Sequence, residues 1–203
     1  KFYSDAFIKL VKGIKLYDSD YEIVEFDENI SKEDIKVLND IYIEAFSERE
    51  RLYSLDYILQ KCLVNEKLKT YIMYDDPLKT GKKRVVAFCN CIMTDDFIYG
   101  TYFGIKKEFK SRYYGTYLIE YIMEDVRKDR HLFFNAAMLE DTPENQEERM
   151  KRKKFYHRMG INIARSGIIY NGITYDFYSL KELTPEELDM YIELFSGDFS
   201  TFK

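Results

Sequence analysis

Apolar positions along the chain switch between a period near two and a period near 3.6, and the order of these regimes sets the expected fold class. Residues 5–17 place Phe7, Ile8, Leu10, Val11 and Ile14 at near-helical spacing, which predicts a short amphipathic N-terminal helix. Residues 21–26 alternate like a strand. Ser31 then reads as an N-cap with Asp34 at the third helical position, opening a helix to about Ala45 with Ile35, Leu38, Tyr42 and Ala45 on its apolar face. After the charged stretch Phe46-Ser47-Glu48-Arg49-Glu50-Arg51 comes a second helix at about 56–64, then a strand at 69–74 ended by the turn-forming residues 75–82. Residues 85–93 and 97–105 are two more apolar strands, joined by Thr94-Asp95-Asp96 into what is most simply an antiparallel hairpin.

The second half repeats the alternation. A helix is expected at about 114–128, with Leu118, Ile119, Ile122 and Val126 on one face, followed by a nearly continuous apolar run at 132–139 that fits a strand buried on both faces. A polar loop at 140–146 leads to a helix at about 147–159, stopped by Gly160. Strands at 163–170 and 173–180 flank Asn171-Gly172, the strongest short hairpin signal a sequence offers. Thr184-Pro185-Glu186-Glu187 combines an N-cap, a first-turn proline and a capping-box acid, so a last helix should run from about 184 to 196. The sum is a mixed α/β (α+β) layout on a central sheet. At 203 residues, with no linker, repeat or low-complexity segment, a single domain spanning 1–203 is expected, with the helix at about 1–18 as an N-terminal extension.

Composition narrows the function classes. A net charge of -5 argues against a nucleic-acid binder with a wholly positive surface. The one basic run, Arg149 to Lys154, follows the acids Glu140, Asp141, Glu144, Glu147 and Glu148, so a solvated helix face competes with nucleic-acid contact as its reading. Three cysteines and two histidines fit neither a disulfide framework nor a zinc site, which leaves no metal and a reducing cytoplasm as the simplest expectation. Cys89 and Cys91, at i and i+2 on one strand face, read as core packing, and His131 and His157 have no companions for a Ser-His-Asp arrangement. No apolar stretch approaches membrane-span length. The start Lys1-Phe2-Tyr3-Ser4 has no signal-peptide layout, and with no initiator Met a trimmed leader stays open.

Chemistry is concentrated in residues 97–123, where a strand enters a helix through Lys110-Ser111-Arg112-Tyr113-Tyr114-Gly115-Thr116. Helix N-termini carry unpaired N–H groups and partial positive charge, so this layout offers a pyrophosphate cradle; neither the Walker A nor the dinucleotide-binding fingerprint is present. An ordinary helix after a strand is the alternative. A second segment, residues 149–161, ends in Phe155-Tyr156, three residues, then Gly160-Ile161.

In element order and in these two motifs the chain resembles the GNAT superfamily of N-acetyltransferases, of the small bacterial type, over roughly residues 21–180. In that family the turn follows an Arg/Gln-x-x-Gly-x-Gly/Ala pattern; here Lys110 takes the basic position, Tyr113 the first glycine and Gly115 the second. The resemblance implies a mostly antiparallel central sheet flanked by helices. It also implies acetyl-CoA as co-substrate, with its pyrophosphate on Lys110 to Thr116 and its pantetheine on the backbone of Phe103, Gly104 and Ile105 beside a bulge that Gly104 fits. Tyr156 would be the general acid that protonates the leaving thiolate, although a half-buried structural aromatic is the competing reading. Glu140, near the end of the fifth strand, and Glu48 are candidates for the base, and each also reads as a solvated loop carboxylate. The partners implied are an acyl-CoA and an amine acceptor, without nucleic acid or membrane and with room for a homodimer. The alternative function is an inactive GNAT-like domain that senses acyl-CoA or mediates protein contacts, which Tyr113 favours.

Overall fold

The computed structural model describes residues 21–76, 78, 80–126, 129–137, 143–170 and 172–196, so the helix expected at about 1–18 lies outside the described residues. In chain order they form β1 (Glu22–Glu25), α1 (Lys32–Ala45), α2 (Leu55–Val64), β2 (Leu68–Asp75), β3 (Arg84–Met93) and β4 (Phe97–Ile105). A 3-10 turn (Lys107–Phe109) precedes α3 (Tyr114–Tyr121), which continues as a π-turn over Ile122–Val126. Then follow β5 (His131–Ala137), α4 (Pro143–Arg158), β6 (Asn162–Tyr170), β7 (Ile173–Ser179) and α5 (Pro185–Ser196). Among the described residues no helix is long and apolar enough to cross a membrane.

Helix starts follow local capping chemistry. Ser31 Oγ accepts from the Asp34 N–H at 3.1 Å at α1, and Ser54 Oγ accepts from the Tyr57 N–H at 3.2 Å at α2. At α5 the expected box closes both ways, Glu187 N–H to Thr184 Oγ1 at 3.2 Å and Thr184 N–H to Glu187 Oε2 at 2.9 Å. Helix α4 starts at Pro143 rather than near 147, so it absorbs much of the expected loop. Proline has no N–H to leave unpaired at a first turn.

The seven strands make one sheet in the order β1-β2-β3-β4-β5-β7-β6. Every neighbouring pair is antiparallel except β4 and β5, which run parallel and pair only from Phe97↔His131 to Gly100↔Phe134. Beyond Gly100 the two strands part, and the side of β4 that would face β5 has no strand partner. Helices α3 and α4 cover one face of the sheet, around Cys89, Leu118, Phe134 and Tyr156. Helices α1 and α2 cover the other face over Leu38, Ile41, Tyr42 and Phe88, and α5 extends that cover through Leu188 and Tyr191 over Phe97 and Phe133.

The bulge that spreads the sheet is at Thr101, not at Gly104. Cys91 pairs with Gly100 and Asn90 with Tyr102, which leaves Thr101 as the extra residue on β4. One inserted residue reverses the alternation of side chains. Hence Tyr99 and Tyr102 both join the α1/α2/α5 side, while Phe103 packs on the α3/α4 side. Gly104 instead stays in register opposite Phe88, and a Cβ there would lie 2.8 Å from the Phe88 ring and 3.1 Å from Ile41, so helix packing explains the glycine.

A buried amide holds the bulge. Fully buried Asn90 donates through Nδ2 to Thr70 Oγ1 at 2.9 Å and to the Lys69 carbonyl at 3.2 Å, and Thr101 Oγ1 hydrogen-bonds its side-chain oxygen. Asn90→Ala removes a hub and leaves two hydroxyls short of partners. It is expected to cost roughly 2 kcal/mol and to lower the melting midpoint by about 4–8 °C, as read by a thermal unfolding scan.

Candidate active site

Where β4 and β5 separate, a cavity of about 690 Å³ is lined by residues from both faces of the sheet. That volume lies within the range of small-molecule sites. On the α3/α4 side it meets Phe103, Ile105, Phe134 and Tyr156; on the other it meets Tyr99, Tyr102, Asn135 and Tyr175.

The turn into α3 forms one wall. Ser111 and Tyr113 both adopt left-handed backbone, at φ 66 and 67, and Tyr113 is the N-cap residue of α3. The first N–H to enter the helix ladder is that of Tyr117, which donates to the Tyr113 carbonyl at 3.0 Å. The N–H groups of Tyr114, Gly115 and Thr116 are therefore the orphan donors of a helix start, and all three residues line the cavity. A Cβ on Gly115 would sit 2.9 Å from Ile105 Cδ1 and 3.2 Å from Phe155 Cζ, so this position needs a residue without a side chain. The Tyr114 side chain anchors the turn elsewhere, its hydroxyl donating to buried Asp75 at 2.6 Å. Of the turn residues expected to act together, Lys110, Ser111, Tyr113, Tyr114, Gly115 and Thr116 reach the cavity; Arg112 lies over the Phe109 ring at 5.6 Å and does not.

Left-handed backbone is costly for a residue with a Cβ, which is why glycine suits position 113. Tyr113 is 43% exposed, so the packing lost with its ring offsets only part of the backbone strain. Tyr113→Gly is expected to raise stability by about 0.5–1 kcal/mol as the strain of a non-glycine residue is relieved. A urea titration giving an unchanged or lower midpoint would contradict this.

Helix α4 supplies positive charge to the same arm. Lys151, Arg152 and Lys154 line the cavity, and Lys110 Nζ lies 3.3 Å from Glu148 Oε1. The basic run also has structural duties: Arg149 grips the buried Asp176 carboxylate through Nε and Nη2 at 3.1–3.3 Å, and Arg152 donates to the Ala137 carbonyl at 3.2 Å. A purely solvated face is therefore not what this segment forms.

Tyr156 lines the cavity from the α3/α4 side, 4% exposed, with ring centroids 4.6 Å from Tyr178 and 5.5 Å from Phe134. Burial pushes its phenol well above the ordinary value, against the opposing pull of the Arg152 charge. It therefore keeps its proton throughout the neutral range.

The acids expected from the sequence are distributed differently. Glu140 lies outside the described residues. Glu48 is exposed and does not line the cavity, whereas Glu50, two residues on, does. Glu50 Oε2 accepts from the Ser47 N–H at 2.8 Å, a bond that closes its own turn and gives no sign of the cavity beyond it. Asn135 was also missed. Its Oδ1 is buried without a partner beside the cavity, and an asparagine within an apolar strand offered no spacing from which that exposure to a site follows. Gly104 does not line the cavity; Phe103 and Ile105 do. Among the described residues there is no group of three or more His, Cys, Asp or Glu able to hold a metal ion.

A mostly antiparallel sheet opened between β4 and β5, with a helix leaving β4 through a left-handed turn, is the fold of the GNAT acetyltransferases, and this chain has it. A protein of Bacteroides thetaiotaomicron assigned to the GNAT family superposes with TM-score 0.62 at 14% identity, over 87% of this chain and 99% of that one. The aminoglycoside 6'-N-acetyltransferase of Enterococcus faecium gives TM-score 0.55 at 13% identity over 80% and 99% of the two chains. The ribosomal-protein-S18-alanine N-acetyltransferase of Escherichia coli gives 0.53 at 10% over 81% and 97%. An aminoglycoside 6'-N-acetyltransferase solved with coenzyme A is similar at TM-score 0.54 and 13% identity, over 80% of this chain and 99% of that chain. No family model matches the sequence, and no curated protein does.

Proposed function

We propose that this chain is an acyl-CoA-dependent N-acetyltransferase that moves an acetyl group from acetyl-CoA directly to an amine of a small molecule or peptide. The observation that carries the reading is the cavity at the β4/β5 separation, lined from both faces of the sheet, with protonated Tyr156 among its lining residues. Such a passage lets a thioester and an amine meet from opposite sides.

The α3/α4 arm fits an acyl-CoA. Orphan N–H groups of Tyr114, Gly115 and Thr116 and the cations of Lys110, Lys151 and Lys154 suit a pyrophosphate. Backbone groups of β4 beyond Gly100, on the side that β5 no longer pairs, suit the amides of a pantetheine arm and the thioester oxygen. The acetyl group supplies an electrophilic carbonyl carbon. A neutral amine forms the new C–N bond, the C–S bond breaks, and Tyr156 gives its proton to the departing sulfur. The proton lost by the amine passes through water toward Glu50, the carboxylate that the α1–α2 loop turns into the cavity. Glu140 keeps its candidacy for this role, while Glu48 is placed too far out. A cytoplasmic setting belongs to the same proposal: Cys62, Cys89 and Cys91 are free thiols, as a reducing compartment keeps them.

Calorimetric titration with acetyl-CoA tests the reading. Binding between about 1 µM and 1 mM, together with thiol release in the presence of amines, is the expected result. No heat at millimolar ligand would sink it. Binding without thiol release across an amine panel would return the chain to the sensing or protein-contact reading.

A further inference from the structure

The arm opposite α3 and α4 has a composition of its own. Its walls are the rings of Phe46, Tyr53, Tyr99, Tyr102, Tyr170 and Tyr175, brought together from the α1–α2 loop, β4, β6 and β7. Their positions are fixed from behind: Tyr102 meets Tyr42 edge-on at 5.0 Å and Phe46 at 5.1 Å, and Tyr99 stacks on Phe133 at 5.0 Å. The Tyr102 hydroxyl donates to the Glu50 carbonyl at 3.2 Å, and Arg49 Nη2 donates to the Gly172 carbonyl at 3.2 Å, tying the loop to the β6–β7 hairpin across the arm.

Among the described residues charge in this arm is sparse. Glu50 is the acid they supply to it; the other described acid lining the cavity, Glu148, lies against Lys110 in the opposite arm. Burial raises the phenols of Tyr99, Tyr102 and Tyr175, so none of them adds negative charge at neutral pH.

The remaining polar feature is Asn135. It follows Phe134, the last β5 residue paired with β4, and therefore sits where the strands begin to part. Its Oδ1 has no hydrogen-bond partner although it is buried. Buried amide oxygens are rarely left so, and a ligand that donates an N–H would satisfy it. Being uncharged, the amide orients a nitrogen without holding it as an ammonium ion, which suits a nucleophile that must be neutral to react.

We infer that the acceptor is a primary amine carried on a flat, largely apolar body, with the aromatic walls enclosing that body and Asn135 taking an N–H of the reacting nitrogen. This rests on the acetyltransferase reading for its chemistry but concerns a different arm of the cavity. Rings bind apolar surface and attract a single positive charge during entry. A polyamine or an amino sugar with several ammonium groups would need several acids, where the described residues of the arm provide Glu50.

Amine binding to the full chain saturated with coenzyme A, measured by calorimetry, tests this without requiring turnover. Phenethylamine is expected to bind at least about tenfold more tightly than spermidine or kanamycin, the span of one hydrogen-bond-sized difference. Asn135→Ala should weaken phenethylamine by about tenfold and leave coenzyme A affinity unchanged, while Asn135→Asp, which keeps an acceptor oxygen, should recover most of the loss. Where turnover is measured, the loss in Asn135→Ala should appear in KM for the amine and in kcat, but not in KM for acetyl-CoA. Tighter binding of spermidine or kanamycin overturns the assignment of class, and unchanged phenethylamine affinity in Asn135→Ala overturns the role of Asn135. Failure to bind coenzyme A would sink the acetyltransferase reading instead; the same titrations on the unliganded chain would still decide the amine preference.

Discussion

Tyr156→Phe is expected to lower kcat by about 10²- to 10³-fold, the contribution of a positioned general acid, while acetyl-CoA binds with nearly unchanged affinity. The variant removes one oxygen and keeps the ring that packs against Tyr178, Phe134 and Phe155 at centroid distances of 4.6, 5.5 and 5.3 Å, so the fold should persist. The sign of the pH dependence follows from burial. A phenol whose charged form is disfavoured gives up its proton only above the ordinary tyrosine value near 10, so its acid function survives wherever the protein is folded. Wild-type kcat should therefore show no alkaline fall attributable to this group between about pH 7 and 9. Stopped-time thiol-release assays of the wild type, Tyr156→Phe and the neighbouring control Tyr178→Phe decide the matter. Equal turnover in the wild type and Tyr156→Phe removes Tyr156 from the acid role and leaves it a core aromatic.

The second large effect is on stability and comes from Gly100→Ala. A Cβ at this position would lie 2.1 Å from Phe134 Cε1 and 2.2 Å from Cδ1, well inside contact distance. Phe134 is 1% exposed and hemmed in by Phe103 and Tyr156, so its ring has no ready alternative position. Overpacking of this kind costs about 2–3 kcal/mol, which for a chain of this size lowers the melting midpoint by roughly 4–12 °C. Because the displaced ring presses toward Tyr156 and the cavity, acetyl-CoA affinity should fall as well. Adding Phe134→Leu should restore part of the stability, since two contacting positions are not independent. A Gly100→Ala protein within about 0.5 kcal/mol of the wild type would show that the ring moves freely.

Much of the fold was legible because it is written in short-range terms. Ser31, Ser54 and Thr184 are within three residues of the N–H groups they cap, and the strands at 84–93 and 97–105 run largely apolar for as long as they stay buried. Gly160, at φ 76, ends helix α4 where only a residue without a Cβ is at ease. The motif residues Tyr156 and Gly115 were picked out by the family resemblance and not by local pattern, and both line the cavity.

The sequence by itself thus determined the order of the elements from β1 to α5 and part of each buried face, because capping, periodicity and φ preference act over a turn or less. Tertiary structure decided the rest. The bulge moved from Gly104 to Thr101 because its position depends on cross-strand register and on Asn90 reaching Thr70, 20 residues away. Glu50 rather than Glu48 entered the cavity, and Asn135 came to the point where β5 leaves β4, because both depend on how strands distant in sequence pair and part. Which side chains share a cavity is a property of that register, and no local pattern carries it.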